Sequence, residues 1–275
     1  MTTNPPDATP GSTEASTSEP SDTKKHAPLV LPEHGELDAR AVAPPALFHE
    51  RAAALGVSFA PGEIERLGLY LGYLLWTNER MNLTAIRDAG EAWMRHILDS
   101  LALLGPLSEL EDGSAVIDVG SGGGVPGIPL AIVLPQLRFT LLEATTKKAR
   151  FLEQVAKRLD LENVEVVNER AERAAADGSE HRGRFDAVVA RALGPLRVAV
   201  ELTVPFGRVG SLILLVKGER ADEELADARK ALHALHATHS GTIETSTGRI
   251  VVLEKRRETP RIYPRKVGDP KRSPL

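Results

Sequence analysis

The 275-residue chain contains no cysteine. Disulfide frameworks, thiolate zinc sites, iron–sulfur clusters and cysteine nucleophiles are therefore excluded. The chain also lacks any apolar run near the roughly 20 residues that a membrane helix needs. Its polar, acidic N-terminus has neither the basic start nor the apolar centre of a secretory signal. These absences lead us to expect a cytoplasmic protein that crosses no membrane. Taken over the whole chain, the slightly acidic net charge of -4 argues against a nucleic-acid partner, which has to be tested segment by segment.

The first part of the chain is poor in residues that build a core. Residues 1–28 contain five Pro and ten Ser or Thr but no Leu, Ile, Val or aromatic residue. Such a segment buries too little apolar surface to offset the entropy of ordering it. Residues 1–40 hold seven acids against three bases, and the rest of the chain is neutral. We expect residues 1–40 to be a disordered acidic extension, and we attach no function to them.

Residues 41–110 have helical spacing and predict a helical subdomain. One apolar face recurs every three or four positions at Ile64, Leu67, Leu71, Leu74 and Leu75. Asp88 with Glu91 three residues later is typical of a capping box and predicts the start of the last helix. An apolar stripe follows at Trp93, Ile97, Leu98, Leu101 and Leu104.

Residues 111–256 alternate between short β-rich runs and helical stretches, which is typical of parallel βαβ units. Helices are predicted at 147–159 and 221–236. Strands are predicted at 115–119, 139–142, 164–167, 185–190, 212–216 and 250–253. The pattern favours an α/β fold, a Rossmann-like and mostly parallel doubly wound sheet with its ligand site at the carboxyl ends of the strands.

A glycine-rich stretch lies where the first strand turns into a helix, and we expect that helix to offer free N–H groups to a ligand. Gly122, Gly124 and Gly127 match the dinucleotide pattern, whereas Gly120, Gly122 and Gly124 match the methyltransferase pattern. Asp118, just before the glycines, would repel a pyrophosphate but suits a cationic amino acid or sulfonium. Its simpler role is to hold backbone, and the two roles are compatible.

Two further carboxylates follow the next strands. Glu143 ends the second strand and is placed to accept hydrogen bonds from two ribose hydroxyls. Ala171 and Glu172 follow the third strand, where a backbone N–H and a carboxylate would read an adenine edge. The alternative for Glu172 is a solvated acid at a helix start.

These residues resemble the RsmG (also called GidB) methyltransferases over most of the chain after residue 60. The most specific stretches are RHILDS at 95–100 and PGIP at 126–129; MNLT at 81–84, RAE at 170–172 and the YPRK...PKRSPL end also match. The family transfers a methyl group from S-adenosylmethionine to N7 of a guanine in small-subunit (16S) ribosomal RNA.

The resemblance implies a site of two parts. For the cofactor it implies contacts from Gly120, Val125, Ala171, Glu172 and Arg191, which join Asp118, Gly122, Gly124 and Glu143. For RNA we expect contacts from Arg95, His96, Lys147, Lys148, Arg265, Lys266, Lys271 and Arg272. The expected partner is 16S rRNA, the small subunit or an assembly intermediate, and we expect a monomer without a metal.

The chemistry also follows from what is missing. Methylation of pyrimidine C5 needs a cysteine nucleophile. Enzymes that methylate exocyclic amines usually carry Asp or Asn, then Pro-Pro and an aromatic residue after the fourth strand, where this chain reads ARAL at 190–193. Guanine N7 has a free lone pair and no proton to lose, so its methylation needs orientation more than a general base. No catalytic residue is assigned.

Arg191 is the residue expected beside the transferred methyl, holding the cofactor or guanine O6. Its alternative is a structural salt bridge to Glu172 or Asp118. Arg95 and Asp99 have the spacing of an intrahelical ion pair. The other histidines, such as His233, His236 and His239, show no metal-ligand spacing and are expected on helix surfaces.

The last 27 residues hold nine bases against three acids. We expect residues 257–275 to be a basic tail, with Tyr263 among arginines suited to phosphate contact and base stacking. The alternative is a solubilising, disordered end. Three other functions remain open from residues alone: a small-molecule methyltransferase, an NAD-dependent oxidoreductase that uses the same glycines, and a non-enzymatic RNA-binding module.

Overall fold

A computed structural model of the chain describes residues 30–32, 41–245 and 247–275. Most of the expected N-terminal extension, residues 1–29 and 33–40, lies outside the described residues. No helix within the described ranges is long and apolar enough to cross a membrane.

The N-terminal region is helical, as its spacing predicts. The apolar face of the second helix is confirmed, because Leu67, Leu71 and Leu74 are fully buried and Ile64 and Leu75 pack against the core while partly exposed. The helices are α1 (Ala46–Ala54), α2 (Glu63–Asn78), α3 (Ala89–Ala92), α4 (Asp99–Leu101) and α5 (Leu104–Leu107).

A π-helical segment, Trp93–Leu98, joins α3 to α4. The predicted helix start is confirmed, since Oδ1 of Asp88 accepts a hydrogen bond from the Glu91 amide at 2.7 Å. The stripe from Trp93 to Leu101 is buried. π-Bulges inside helices are frequent at functional sites, and this one carries Arg95 and His96.

Seven strands form one sheet in the order β3-β2-β1-β4-β5-β7-β6. The pairs from β3 to β5 are parallel, and β7 is antiparallel to both of its neighbours. The strands are β1 (Ala115–Val119), β2 (Arg138–Leu142), β3 (Val164–Val167), β4 (Phe185–Arg191), β5 (Gly207–Lys217), β6 (Ala237–Glu244) and β7 (Arg249–Lys255).

The edge strand β6 is absent from the sequence prediction because its residues are polar and mostly exposed. The placement of His239 on a helix surface is wrong: it lies in β6, where Nε2 contacts Oγ1 of Thr242 at 2.9 Å. The predicted helix 221–236 is two helices, and it ends at Leu235 because His236 adopts a left-handed conformation with φ 59.

Helices cover both faces of the sheet, so successive strand residues are buried on opposite sides: Val116 packs with one core cluster and Ile117 with the other. The N-terminal helices share the first core with α6 (Gly127–Val133) and α7 (Thr146–Arg158). The second core contains α8 (Ala171–Ala174), α9 (Leu196–Thr203), the 3-10 turn Val204–Phe206, α10 (Ala221–Asp227) and α11 (Arg229–Leu235).

The strand order reverses at β1, which lies between β2 and β4. The connection after β1 leads to β2 in one half of the sheet, whereas the connection after β4 leads to β5 in the other half, so a crevice opens between the two loops at the carboxyl ends. The doubly wound fold expected from the sequence is confirmed, and it places the crevice above β1 and β4.

The predicted basic tail, residues 257–275, is packed onto this domain rather than solvated along its length. The Arg182 guanidinium donates hydrogen bonds to the carbonyl oxygens of Thr259, Pro260 and Tyr263 at 2.7–3.2 Å. A last helical turn, α12 (Asp269–Arg272), follows. The description of this segment as a disordered end is therefore wrong.

Leu31 lies within the extension expected to be disordered but is only 2% exposed. Its amide donates to Oε1 of Gln154 at 2.8 Å, and its carbonyl accepts from Arg158 at 3.1 Å. This short piece therefore packs on α7 and contributes to the core.

We expect Leu31→Ala to lower the free energy of unfolding by about 2–4 kcal/mol, because it removes a buried apolar side chain. The neighbouring Val30 is 67% exposed, so Val30→Ala serves as the control and should change stability by less than about 0.5 kcal/mol. Urea unfolding followed by circular dichroism measures both, and equal midpoints for the two variants would contradict the packing of Leu31.

Candidate functional site

Two cavities adjoin each other at the carboxyl ends of β1, β2 and β4. The larger cavity has a volume of about 460 Å³. Its walls come from the glycine loop, the segment before α3, the π-helical segment and the end of β4. Its lining includes Leu83, Thr84, Ala85, Ile86, Arg95, His96, Gly120, Ser121, Gly122, Gly123, Val125, Glu143, Lys148, Arg191 and Ala192.

The smaller cavity has a volume of about 290 Å³ and lies above the ends of β2 and β3. It shares Gly120, Glu143 and Ala192 with the larger cavity, so the two cavities adjoin at the glycine loop. Its lining also includes Glu169, Arg170, Ala171, Glu172, Leu193, Gly194, Gly268, Pro270 and Lys271.

Gly120 forms the partition between the cavities and has φ 75. A Cβ atom there would lie 2.7 Å from Cδ2 of Leu193. The positive φ favours glycine here, and a larger residue would also have to displace the Leu193 side chain. Gly124 does not line either cavity; its positive φ of 95 serves the turn of the loop.

Glu143 ties the first two strand ends together. Its Oε2 accepts from the Gly122 amide at 2.9 Å and its Oε1 from the Thr145 amide at 2.7 Å. The residue is 7% exposed and contributes to both cavities. Each carboxylate oxygen has a second lone pair, so Glu143 keeps acceptor capacity for hydroxyl groups of a ligand.

Asp118 lies beneath the loop and is fully buried. Its Oδ2 accepts from the Gly127 amide at 3.1 Å, whereas Oδ1 has no hydrogen-bond partner among the described residues. The nearby Ser121 hydroxyl donates to the Asp118 main-chain oxygen. Burial raises the pKa of Asp118 to about 7, and the charge of Glu143 adds to the effect.

The bond from Gly127 to Asp118 corrects one sequence expectation. The first amides of α6 were expected to be free for a ligand, but Gly127 donates to Asp118 and Ile128 donates to the Gly124 carbonyl at 2.7 Å. The loop, rather than the helix start, therefore faces the cavities.

Arg191 ends β4 and contacts the π-helical segment. Its guanidinium donates to the Arg95 carbonyl at 2.5 Å and lies 3.8 Å from Oδ2 of Asp99. The prediction that Arg191 forms a salt bridge with Glu172 or Asp118 is therefore wrong. The predicted Arg95–Asp99 ion pair is also wrong, because the Arg95 guanidinium lies 3.7 Å from the Glu91 carboxylate instead.

Asp99 is held in turn from the β6–β7 hairpin, where the Thr247 hydroxyl donates to its Oδ1. Burial raises the pKa of Asp99, while the bond from Thr247 and the charge of Arg191 oppose this shift. Ala192, next to Arg191, has φ 60, which is uncommon for alanine and marks local backbone strain at the cavity wall.

His96 lines the larger cavity and is 5% exposed. Its Nε2 lies 2.8 Å from Oγ1 of Thr84. Burial, aided by the positive charge of Arg191, lowers the pKa of His96 to about 4. The imidazole is therefore neutral at pH 7 and presents one donor and one acceptor nitrogen.

The residues predicted to bind RNA fall into separate groups. Arg95, His96 and Lys148 meet at the larger cavity, and Lys271 lines the smaller one. Lys147, Lys266 and Arg272 are exposed outside both. Arg265 differs, because its guanidinium binds the buried carboxylate of Glu201.

Sequence reasoning missed part of the lining. The segment 83–86 forms one wall because Oδ1 of Asn78 accepts from the amides of Leu83 and Thr84, both at 2.9 Å. Only the family motif at 81–84 pointed there. Gly268 and Pro270 were also missed, since nothing in a basic tail signals a cavity wall. No group of three acidic or histidine side chains in the described ranges is arranged to hold a metal ion.

The buried carboxylate of Asp118 generates a pH-dependent prediction. Its pKa is near 3.8 unfolded and about 7 folded, so the folded state binds the extra proton and stability falls as pH rises through this window. Relative to Asp118→Asn, the wild type should lose up to about 4 kcal/mol between about pH 4 and pH 7, with little further loss above pH 7.

Urea unfolding of both proteins across this pH range measures the difference. The exposed Asp112, in the turn before β1, provides the control variant Asp112→Asn, whose pH dependence should match that of the wild type. Parallel stability curves for wild type and Asp118→Asn would contradict the raised pKa.

Comparison with known proteins adds an independent finding. Residues 63–252 match the family model GidB, described as rRNA small subunit methyltransferase G. Proteins named ribosomal RNA small subunit methyltransferase G are similar over nearly their whole length. The protein from Sorangium cellulosum is 50% identical over 240 residues, 87% of this chain and 98% of its own.

The corresponding protein from Desulfitobacterium hafniense is 38% identical over 252 residues, 90% of this chain and 100% of its own. That from Ligilactobacillus salivarius is 34% identical over 239 residues, 84% of this chain and 99% of its own. With the doubly wound fold and the cavity at its switch point, this coverage places the chain in the GidB family of rRNA small subunit methyltransferases.

Proposed function

We propose that this protein transfers a methyl group from S-adenosylmethionine to N7 of a guanine in 16S rRNA. The observation that carries the proposal is the pair of cavities that adjoin at Gly120 in a chain of this family. One cavity suits the adenosyl end of the donor, and the other has room for the methionine end and a nucleobase. A ribosomal substrate would be met in the cytoplasm.

The residues present fit this donor. Gly120 lines both cavities with main-chain atoms alone, Glu143 keeps acceptor capacity for ribose hydroxyls, and Ala171 with Glu172 lies in the smaller cavity. Val125 and Gly122 line the larger one. Asp118 lines neither cavity, and its Oδ1 has no hydrogen-bond partner among the described residues, so any effect on a cationic group of the donor would act through its charge beneath the loop. When bound, S-adenosylmethionine supplies a methyl group activated by its sulfonium.

N7 is favoured as the acceptor because the larger cavity offers orienting groups rather than a base. His96 is neutral and buried, and Arg191 is fixed by two partners. A lone-pair nucleophile such as guanine N7 needs no proton removed before attack. The Arg191 guanidinium can donate a hydrogen bond to guanine O6 or contact the methyl donor. The neutral imidazole of His96 can form a hydrogen bond with the edge of a base.

Basic residues in and near the larger cavity support an RNA substrate. Arg95 and Lys148 stand at the larger cavity, and Lys147 is exposed beside them at the start of α7. Such a cluster suits phosphates on either side of a base that enters the cavity. Family membership sets aside the oxidoreductase, whereas a small-molecule methyltransferase or a non-enzymatic RNA-binding module is decided by the following measurement.

Purified protein, tritiated S-adenosylmethionine and small ribosomal subunits or 16S rRNA lacking this modification should yield labelled RNA. Borohydride reduction followed by aniline should then break the strand at one guanine, because N7-methylguanosine is labile to this treatment. Labelled RNA without a break would contradict the N7 assignment. Binding of RNA without any transfer would favour the non-enzymatic module.

The same assay tests the network around Arg191. Arg191→Ala should retain the fold and lose about 100-fold or more in kcat/KM, the usual cost of a directed donor at a reaction centre. Thr247→Val removes only the hydroxyl that holds Asp99 and should cost about tenfold. Thr242→Val, in the same hairpin but outside both cavities, is the control and should be unaffected. Full activity of Arg191→Ala would remove Arg191 from the site.

A further inference from the structure

The smaller cavity has a wall that comes from the end of the chain. Gly268, Pro270 and Lys271 line it opposite Ala171 and Glu172. These residues belong to the segment expected from its charge to be an RNA-binding tail. We name residues 265–273 the C-terminal clasp.

One anchor of the clasp is the ion pair between Arg265 and Glu201 of α9. The guanidinium Nε lies 2.9 Å from Oε1, and Nη2 lies 2.5 Å from Oε2. The Arg265 amide also donates to Oε1 at 2.9 Å. The Glu201 side chain has no solvent exposure, whereas that of Arg265 is 26% exposed. A forked, partly desolvated pair of this kind holds a segment in one orientation.

The same guanidinium closes the clasp on itself, since Nη1 of Arg265 donates to the Ser273 carbonyl at 2.8 Å. Within the loop, the Arg272 amide donates to the Gly268 carbonyl at 3.0 Å. Arg265 therefore connects α9 to both ends of the clasp, although it lines neither cavity.

A second anchor lies at the cavity itself. Oε1 of Glu172 accepts a hydrogen bond from the Gly268 amide at 2.9 Å. Glu172 lies in the first turn of the short helix after β3, so this bond joins the expected adenine-binding wall to the clasp. Pro270 of the clasp is buried. The side chains of Lys266, Lys271 and Arg272 remain exposed.

We propose that the C-terminal clasp is a structural wall of the cofactor site and that Arg265 is a positioning residue for cofactor binding. The inference rests on the proposed function, because it assigns the adenosine part of the donor to the smaller cavity. Glu172 then acts through the Gly268 bond as well as by facing the ligand. The main role of the clasp is thus to shape the cofactor site. Direct binding of RNA by its basic residues is the alternative that the experiment distinguishes.

Calorimetry with S-adenosylhomocysteine on the full-length protein tests the proposal. Arg265→Gln should raise Kd at least tenfold. Arg265→Lys keeps the charge opposite Glu201 but loses the fork, and its Kd should rise by a smaller factor. Arg261→Gln is the matched control: it removes a base from the same terminal segment, its side chain is 88% exposed, and its Kd should stay within twofold of the wild type.

Hydrogen exchange on the unaltered protein gives a readout that needs no variant. Saturating S-adenosylhomocysteine should slow amide exchange at 266–273, including Gly268, by tenfold or more. It should leave residues 237–241 unchanged, because they lie at the end of β6 away from Thr247. This measurement decides the question if Arg265→Gln fails to fold.

The outcomes separate the two proposals. If the wild type binds no S-adenosylhomocysteine, the proposed function fails. If it binds, but exchange at 266–273 is unchanged and Arg265→Gln binds as tightly as the wild type, the clasp proposal is overturned. A loss of affinity for 16S rRNA alone in that variant would assign the segment to RNA.

Discussion

The carboxylate of Glu143 is the contact on which the site depends most. It accepts amide hydrogen bonds from the glycine loop after β1 and from the chain after β2, and so fixes two neighbouring crossovers at the switch point of the sheet. Because the residue also lines both cavities, any ligand that spans them meets a wall whose position is already set. Preorganised acceptors of this kind bind without a further ordering cost.

A second constraint joins distant parts of the chain around the larger cavity. Arg191 at the end of β4 contacts the π-helical segment and lies beside Asp99 at the start of α4. Thr247 in the β6–β7 hairpin donates a hydrogen bond to the same Asp99. The N-terminal helices, the parallel strands and the antiparallel edge therefore meet at one guanidinium. This arrangement adds polar links between the helical region and the sheet, which also share one apolar core.

How much the sequence predicts depends on whether the signal is local. The buried parallel strands and the helix start at Asp88 are predictable because apolar runs and capping residues act within a few positions. Arg265 is not, since its partner Glu201 lies 64 positions away and local charge alone suggests RNA. The edge strand β6 and the buried Leu31 were missed for the same reason: their environment is set by distant neighbours.

The charge distribution therefore acquires a different meaning in three dimensions. Part of the positive charge near the C-terminus is neutralised by the ion pair between Arg265 and Glu201. The carboxylate of Glu172, in turn, accepts a hydrogen bond from the Gly268 amide. By contrast, Asp118 is fully buried, and its Oδ1 has no hydrogen-bond partner among the described residues. A buried carboxylate that lacks a full set of partners is destabilised in its ionised form, in keeping with its raised pKa. Because Asp118 lines neither cavity and accepts a hydrogen bond from the Gly127 amide, its direct role in this structure is to hold the glycine loop from below.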